Sequence, residues 1–237
     1  MSHQALPLPI SPPQEFRSGF RDIIPLSFGV AIYGAAFGLL AAQQGMDAPT
    51  TGIMGGLVFA GASQIVAMER LGAGVGLTIA VIAGLALNLR VLLMTASLRS
   101  EFAGRPLWQI LLGVHLTTDE NWVLMHATRT AGRPAGYWFL LGGGVNLFVV
   151  WVASTAAGAA FASALPDLAS LGMDFAFTAA FILLLTGLWR GRQDLSPWII
   201  SAVTAGGIAL TLPVDPSWGL IAGAIAGASF AAVRHHG

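Results

Sequence analysis

Cysteine and lysine are both absent from the 237 residues, and only 9% of the residues are charged. Without cysteine the chain has no disulfide framework, no thiolate metal site and no cysteine nucleophile. Its 11 basic residues balance 11 acidic ones, so it lacks the basic surface that binds nucleic acid. A soluble domain carries about 25% charged residues. The composition therefore excludes a globule that faces water on every side.

Apolar residues make up 55% of the chain, and the mean hydropathy is +0.74. A surface of this kind is stable against lipid, where a spanning helix needs roughly 20 apolar residues. Short segments that contain proline, glycine and charged residues separate eight apolar stretches. These stretches are residues 23–42, 51–68, 75–98, 107–127, 136–162, 174–189, 196–212 and 217–233.

Apolar runs of this length satisfy their backbone polar groups as helices. The predicted fold class is all-α: a polytopic transmembrane helix bundle, with room for internal repeats and for broken or re-entrant helices. Residues 1–15 are rich in proline and are predicted to be a disordered tail. Residues 16–237 are predicted to form a single transmembrane transport domain.

Arginine placement indicates the topology, because cytoplasmic loops are enriched in basic residues. Eight alternating spans would leave Arg99 and Arg105 outside. If residues 51–68 and 107–127 each enter and leave on one side, every arginine-bearing loop except that of Arg70 becomes cytoplasmic. The number of true spans, six to eight, stays open at this point.

Two further patterns concern packing. Residues 59–65 and 80–84 are echoed weakly by residues 177–183 and 202–206, a hint of an internal repeat. Glycines spaced four apart allow close approach of helix backbones. Most tryptophans lie near the ends of apolar stretches, which is typical of an interfacial aromatic belt. These glycines and tryptophans are Gly34, Gly38, Gly219, Gly223, Gly227, Trp108, Trp138, Trp151, Trp189, Trp198 and Trp218.

The sequence FAGASQ at residues 59–64 is the first polar interruption of an apolar stretch. Small residues around Gly61 weaken the helix, and a break would free backbone groups for a substrate carboxylate or ammonium. Ser63 and the Gln64 amide add side-chain groups. The alternative is a closely packed helix in which Gln64 bonds across the bundle.

Asn88 and Arg90 lie deep in the third apolar stretch. A charge at this depth costs roughly 2.5–3.5 kcal/mol on insertion scales, so Arg90 needs a carboxylate, carbonyls or water. It is either half of a structural ion pair or a cation used in substrate binding or gating.

The segment from His115 to Trp122 carries Thr118, Asp119 and Glu120. An acid here is the expected partner of Arg90, and a protonatable carboxylate in a membrane cavity is what proton coupling requires. His115 and Asp119, four apart, are predicted to share a helix face, where they would form at most half of a metal site. The alternative is a wet interfacial loop.

Asn146, inside the glycine-rich fifth stretch, is predicted to cap a kink or to bond across the bundle. No metal, cofactor or catalytic residue is expected. The candidate substrate-binding or coupling residues are Gly61, Ser63, Gln64, Asn88, Arg90, His115, Thr118, Asp119, Glu120 and Asn146.

In these segments the chain resembles the AzlC-type branched-chain amino acid permeases. The resemblance rests on GFR at residues 19–21 with Pro25, FAGASQ at 59–64, LNLR at 87–90 and TDE at 118–120, in order over residues 16–235. It implies a bacterial inner-membrane component that exports branched-chain amino acids such as valine or leucine. It also implies a second subunit, a small hydrophobic membrane protein of the AzlD type.

Two other classes of function stay open. One is a membrane-embedded enzyme that uses His115, Asp119 and Glu120 as acid–base groups. The other is a scaffold subunit without a pathway of its own. Transport is favoured because the polar groups are few and scattered over three segments, as at a midplane solute site.

Overall fold

A computed structural model describes residues 11–74, 76–162, 191–213 and 216–235. Within these residues there are eleven α-helices and no strand, which confirms the all-α fold class. The chain divides into two compact units, Met1–Ala180 and Phe181–Gly237. The helices of the first unit are α1 (Pro12–Asp22), α2 (Ile24–Gln43), α3 (Ala48–Val58), α4 (Gly61–Gly72), α5 (Leu77–Ser97), α6 (Arg99–Phe102), α7 (Leu107–His115), α8 (Asp119–Thr130) and α9 (Tyr137–Ala162).

Three of the described helices, α2, α5 and α9, are long and apolar enough to cross a membrane. They correspond to three of the predicted stretches, and the chain is a multi-pass membrane protein. The stretches at 51–68 and 107–127 instead form two half-length helices each, α3 with α4 and α7 with α8. The predicted stretch 174–189, and with it one half of the first sequence echo, lies outside the described residues.

Helix α1 begins at Pro12, inside the segment that the sequence predicts to be disordered. The Gln14 side chain accepts a hydrogen bond from the backbone N–H of Ser11, 3.2 Å away, and so caps the helix start. Prolines are tolerated in a first turn because the N–H groups there have no partner inside the helix. Residues 12–15 of the predicted tail therefore belong to a helix. Residues 1–10 lie outside the described residues.

Helices α2 and α9 run parallel and in close contact. Near the start of α2, the Ser27 hydroxyl donates to the Asn146 side chain of α9 at 2.5 Å. Further along, a β-carbon at Gly38 would lie 2.1 Å from the carbonyl oxygen of Thr155, and one at Gly158 would lie 2.2 Å from that of Ala35. The glycines thus allow backbone contact, as their spacing predicts.

The first hairpin, α3 and α4, enters the bundle and turns back. Helix α3 runs antiparallel to α9, with Gly52 against Ala156 and Gly56 against Phe148. The helix breaks at residues 59–60, and α4 then returns to the level of Gln44 at the end of α2. Each arm has 11 or 12 residues and is about 17 Å long, half the hydrocarbon thickness.

The second hairpin, α7 and α8, enters from the opposite end. The Tyr137 hydroxyl at the start of α9 donates to the carbonyl of Gln109 near the start of α7. Helix α7 ends at His115, beside the Phe148 ring half-way along α9. Helix α8 then returns, and Arg129 near its end donates to the carbonyl of Ala135, just before α9.

The two hairpins place six of the eight arginines of the first unit at one end. Arg129 pairs with Glu101 and Arg133 with Asp22, both at 2.6 Å. The positive-inside rule assigns this end to the cytoplasm. The arrangement agrees with the six-span alternative. The arginines at this end are Arg17, Arg21, Arg99, Arg105, Arg129 and Arg133, whereas Arg70 lies near the opposite end of α4.

The second unit contains a short 3-10 helix, Arg192–Asp194, followed by α10 (Leu195–Thr211) and α11 (Pro216–His235). The two α-helices form an antiparallel pair. Gly219, Gly223 and Gly227 of α11 lie against the backbone of α10, with their would-be β-carbons 2.5–2.9 Å from its carbonyl oxygens. The predicted glycine stripe therefore packs inside this unit.

Single-cysteine labelling tests the hairpin topology, because the natural chain has no cysteine. Thr50→Cys and Ala73→Cys should react with an impermeant maleimide only from the outer face, and Ala103→Cys and Ala131→Cys only from the cytoplasmic face. Eight alternating spans would instead expose Ala73→Cys inside and Ala103→Cys outside. That pattern would contradict re-entrance.

The packing of α2 predicts that replacement of glycine by alanine has opposite effects on stability at two positions of this helix. Gly38→Ala should lower the free energy of unfolding in detergent by about 1–3 kcal/mol, because the new methyl group meets backbone. Gly29→Ala is the matched control, since no atom lies within 4 Å of its would-be β-carbon. It should be neutral or stabilise by up to about 1 kcal/mol. Equal thermal shifts for the two variants would refute close α2–α9 contact.

Candidate functional site

The tips of the two hairpins meet half-way along α9. The Nε2 atom of His115 lies 3.0 Å from the carbonyl oxygen of Gly56. A carbonyl only accepts, so this ring nitrogen carries the proton. The Phe59 ring lies 5.9 Å from the His115 ring and 5.2 Å from that of Phe148, between centroids. Helices entering from opposite sides are thus joined at one level.

The first tip breaks at Phe59, which adopts φ = 42°. This left-handed conformation is rare for a bulky residue and is found where surrounding packing enforces it. Gly61 begins α4 immediately afterwards. A β-carbon there would lie 2.8 Å from the Trp151 ring and 2.9 Å from the Tyr33 ring. The glycine therefore lets two aromatic rings close over the first turn of α4.

Gln64 is buried one turn further along α4, with only 1% of its surface exposed. Its Oε1 atom accepts a hydrogen bond from Trp151 Nε1 at 3.2 Å. Indole N–H can only donate, so this contact fixes which end of the carboxamide faces the tryptophan.

The second tip breaks at residues 116–118, and Thr118 caps α8 by accepting from the backbone N–H of Asn121. The Asn121 side chain is fully buried and donates to the carbonyl of Leu140 on α9 at 2.7 Å. Asp119 and Glu120 occupy the first turn, where the positive end of the helix dipole favours negative charge.

Arg90 of α5 forms an ion pair with Asp119, with 2.8 Å between Nη2 and Oδ2. The sequence predicts Asp119 or Glu120 as the partner of Arg90, and the structure shows Asp119. About half of the Arg90 side chain and a third of the Asp119 side chain remain exposed. Tyr33 belongs to the first tip, where its ring lies against Gly61 and 5.7 Å from the Trp151 ring, between centroids.

The structure brings most of the candidate residues together. Those at the two tips or in the ion pair are Gly61, Gln64, Arg90, His115, Thr118, Asp119 and Glu120. Three lie elsewhere. Ser63 packs against Gly84 of α5, and Asn88 is partly buried on α5. Asn146 bonds across the bundle to Ser27 and to the carbonyl of Phe20.

Two predictions about side-chain placement are wrong. His115 and Asp119 do not share a helix face, because α7 ends at His115 and α8 begins at Asp119. They face different partners, the Gly56 carbonyl and Arg90. Trp151 is not an interfacial anchor, since it is 3% exposed and packs on Tyr33 and Phe37.

Tyr33 and Asn121 are the further tip residues that sequence reasoning misses. Tyr33 looks like an ordinary member of an apolar helix, and Asn121 is overshadowed by the two acids before it. Ser27 and Tyr33 both interrupt the apolar stretch 23–42, and polar side chains inside a spanning helix usually face the bundle interior.

A family described as "AzlC protein" matches residues 25–165, more than half of the chain. The chain belongs to the AzlC family. The match spans α2 to α9 and therefore contains both hairpins and the ion pair. No solved structure matches the chain.

Three relatives show how far the similarity extends. An uncharacterized membrane protein of Helicobacter pylori is 27% identical over 198 residues, 82% of this chain and 85% of the relative. The branched-chain amino acid transport protein AzlC of Bacillus subtilis is 27% identical, over 75% of this chain and 69% of the relative. The inner membrane protein YgaZ of Escherichia coli is 27% identical over 92% of both chains.

A double-mutant cycle tests the ion pair. Arg90→Leu and Asp119→Leu should each lower the thermal stability in detergent, because each leaves one uncompensated charge in an apolar setting. The double variant should lose less stability than the sum of the losses in the two single variants, and the difference, the interaction energy, should be about 0.5–3 kcal/mol. Strict additivity would mean that the two side chains act independently.

Proposed function

We propose that this AzlC-family protein is the large subunit of an inner-membrane permease that exports branched-chain amino acids of the valine and leucine type. It works with a small hydrophobic membrane subunit of the AzlD type, and export is coupled to protons. The name of the Bacillus subtilis relative supports the substrate class. The name of the Escherichia coli relative supports the inner-membrane location.

The Arg90–Asp119 pair at the meeting of the two tips is the observation that carries this proposal. Charged groups at membrane depth usually line a pathway or a cavity. Half-helices that end at the midplane are typical of transporter substrate sites, because their ends offer backbone groups that continuous helices bury. Both features lie at the same level of the first unit.

The apolar surroundings suit an aliphatic substrate. Phe59, Phe148 and Trp151 place aromatic surface beside the tips. A branched side chain gains free energy by leaving water for such a surface, by roughly 25 cal/mol for each Å² buried. The charged ends of the amino acid need polar partners, and the two tips supply them.

Asp119 is the proposed coupling group. When it is ionised it holds Arg90, and α8 is tied to α5. Protonation of the carboxylate removes its negative charge and weakens the pair. An ion pair between a hairpin and a long helix thus links proton binding to movement of the hairpin, and that link is what coupled transport requires.

The exposure of Arg90 bears on the small subunit. Half of its side chain is uncovered by the part of the chain that the structure describes, and lipid is a poor neighbour for a guanidinium group. A water-filled path or a second membrane protein would cover it. The proposed small subunit completes the pathway on this side.

Flux of labelled valine in proteoliposomes tests the proposal. Asp119→Asn should lower proton-driven flux by at least about tenfold, because it removes the charge that holds Arg90. Asp22→Asn is the matched control: the Asp22–Arg133 pair has a similar length, 2.6 Å, and similar exposure, but lies at the cytoplasmic end. It should keep flux within about twofold.

Each preparation is measured with and without the small subunit, and with the pH gradient in both directions. Export in exchange for protons requires valine to move against the proton flow. Wild-type protein that moves no valine in any arrangement would favour a scaffold role. Normal proton-driven flux in Asp119→Asn would rule out its coupling role.

A further inference from the structure

The two hairpin tips satisfy their helix N-termini in different ways. At α8, the Thr118 side chain accepts a backbone N–H, and Asp119 and Glu120 stand in the first turn. At α4, residue Ala60 occupies the cap position and cannot accept a hydrogen bond through its side chain, and the first turn has no acid. The N–H groups that begin α4 therefore lack the anionic neighbours found at α8.

Gln64 adds a second, independent group of donors at the same place. Because Oε1 is held by Trp151, the two N–H groups of Nε2 point away from the indole. This nitrogen is buried and has no hydrogen-bond partner among the described residues. A buried donor without an acceptor is unfavourable, and it is rare unless a ligand or water uses it.

The carboxamide lies beside the first turn of α4. The Trp151 ring that holds Gln64 also covers Gly61, where a β-carbon would lie 2.8 Å from the ring. Helical side chains lean toward the N-terminus of their helix, which directs Gln64 the same way. The Gln64 carboxamide and the first turn of α4 thus share one neighbour, the Trp151 ring.

A buried amide donor without an acceptor, beside the positive end of a helix, favours a negatively charged ligand. We infer that the first turn of α4 and the Gln64 carboxamide bind the carboxylate of the transported amino acid. The inference rests on the proposed function. The opposite tip, with Asp119 and Glu120, then faces the ammonium group, so the zwitterion lies between the two hairpins.

The test compares valine with valinamide, which keeps the ammonium and the side chain but has no carboxylate. Gln64→Met keeps the size of the side chain and removes the N–H groups. It should raise the KM for valine by about tenfold, with inhibition of valine flux by valinamide unchanged. Gln109→Met makes the same chemical change at the cytoplasmic end, where Gln109 accepts from Arg105, and should leave both values unchanged.

Gln64→Glu provides a second variant of the same size. Its added negative charge should raise the KM for valine still further and should strengthen inhibition by valinamide. A general packing defect would weaken the binding of both compounds. If Gln64→Met does not yield folded protein, the comparison of valine with valinamide is made with Gln64→Glu.

Equal loss of valine and valinamide binding in these variants would overturn the carboxylate assignment, and so would an unchanged KM for valine. Absence of valine flux in the wild-type protein would instead contradict the proposed function. The two failures are therefore distinguishable.

Discussion

An arginine in the middle of a membrane helix needs a counter-charge at its own depth. Arg90 obtains it from Asp119, and Asp119 reaches that depth because the second hairpin turns back before crossing the membrane. A continuous helix through residues 107–130 would bury the backbone groups that the break exposes. The ion pair, the break and the re-entrant path thus depend on one energetic requirement, that hydrocarbon does not tolerate an isolated charge.

The same requirement explains why the hairpins come as an opposed pair. Helix α2 is followed by a hairpin from one side, and α5, which runs the other way, by a hairpin from the other side. His115 of the second tip donates to the carbonyl of Gly56, which belongs to the last turn of α3 and lacks a partner within that helix. The second tip thus satisfies part of the polar backbone that the first tip exposes. Opposed structural repeats of this kind are common in secondary transporters.

Much of this arrangement can be predicted from the sequence, because it depends on segment length, charge distribution and the cost of a buried charge rather than on the packing of individual side chains. Apolar length predicts α2, α5 and α9, arginine distribution favours the two re-entrant segments, and the cost of a buried charge predicts a partner for Arg90. The placement of individual side chains is harder to predict from the sequence. Trp151 stands in a helix that is apolar on all sides, so no periodicity indicates that it faces the core. The separation of His115 from Asp119 depends on a break at residues 116–118, which tertiary contacts with α9 stabilise.

The Arg90–Asp119 contact in a lipid bilayer is the most direct test of this account. Solid-state NMR of protein labelled with ¹⁵N in the arginine side chains and ¹³C at the aspartate carboxyl groups measures such contacts through their dipolar coupling. The wild-type protein should show two such contacts, and Asp119→Asn should lose the one that matches 2.8 Å between Arg90 Nη2 and Asp119 Oδ2 while it keeps that of the Arg133–Asp22 pair. Identical dipolar couplings in the wild type and in Asp119→Asn would contradict an Arg90–Asp119 contact.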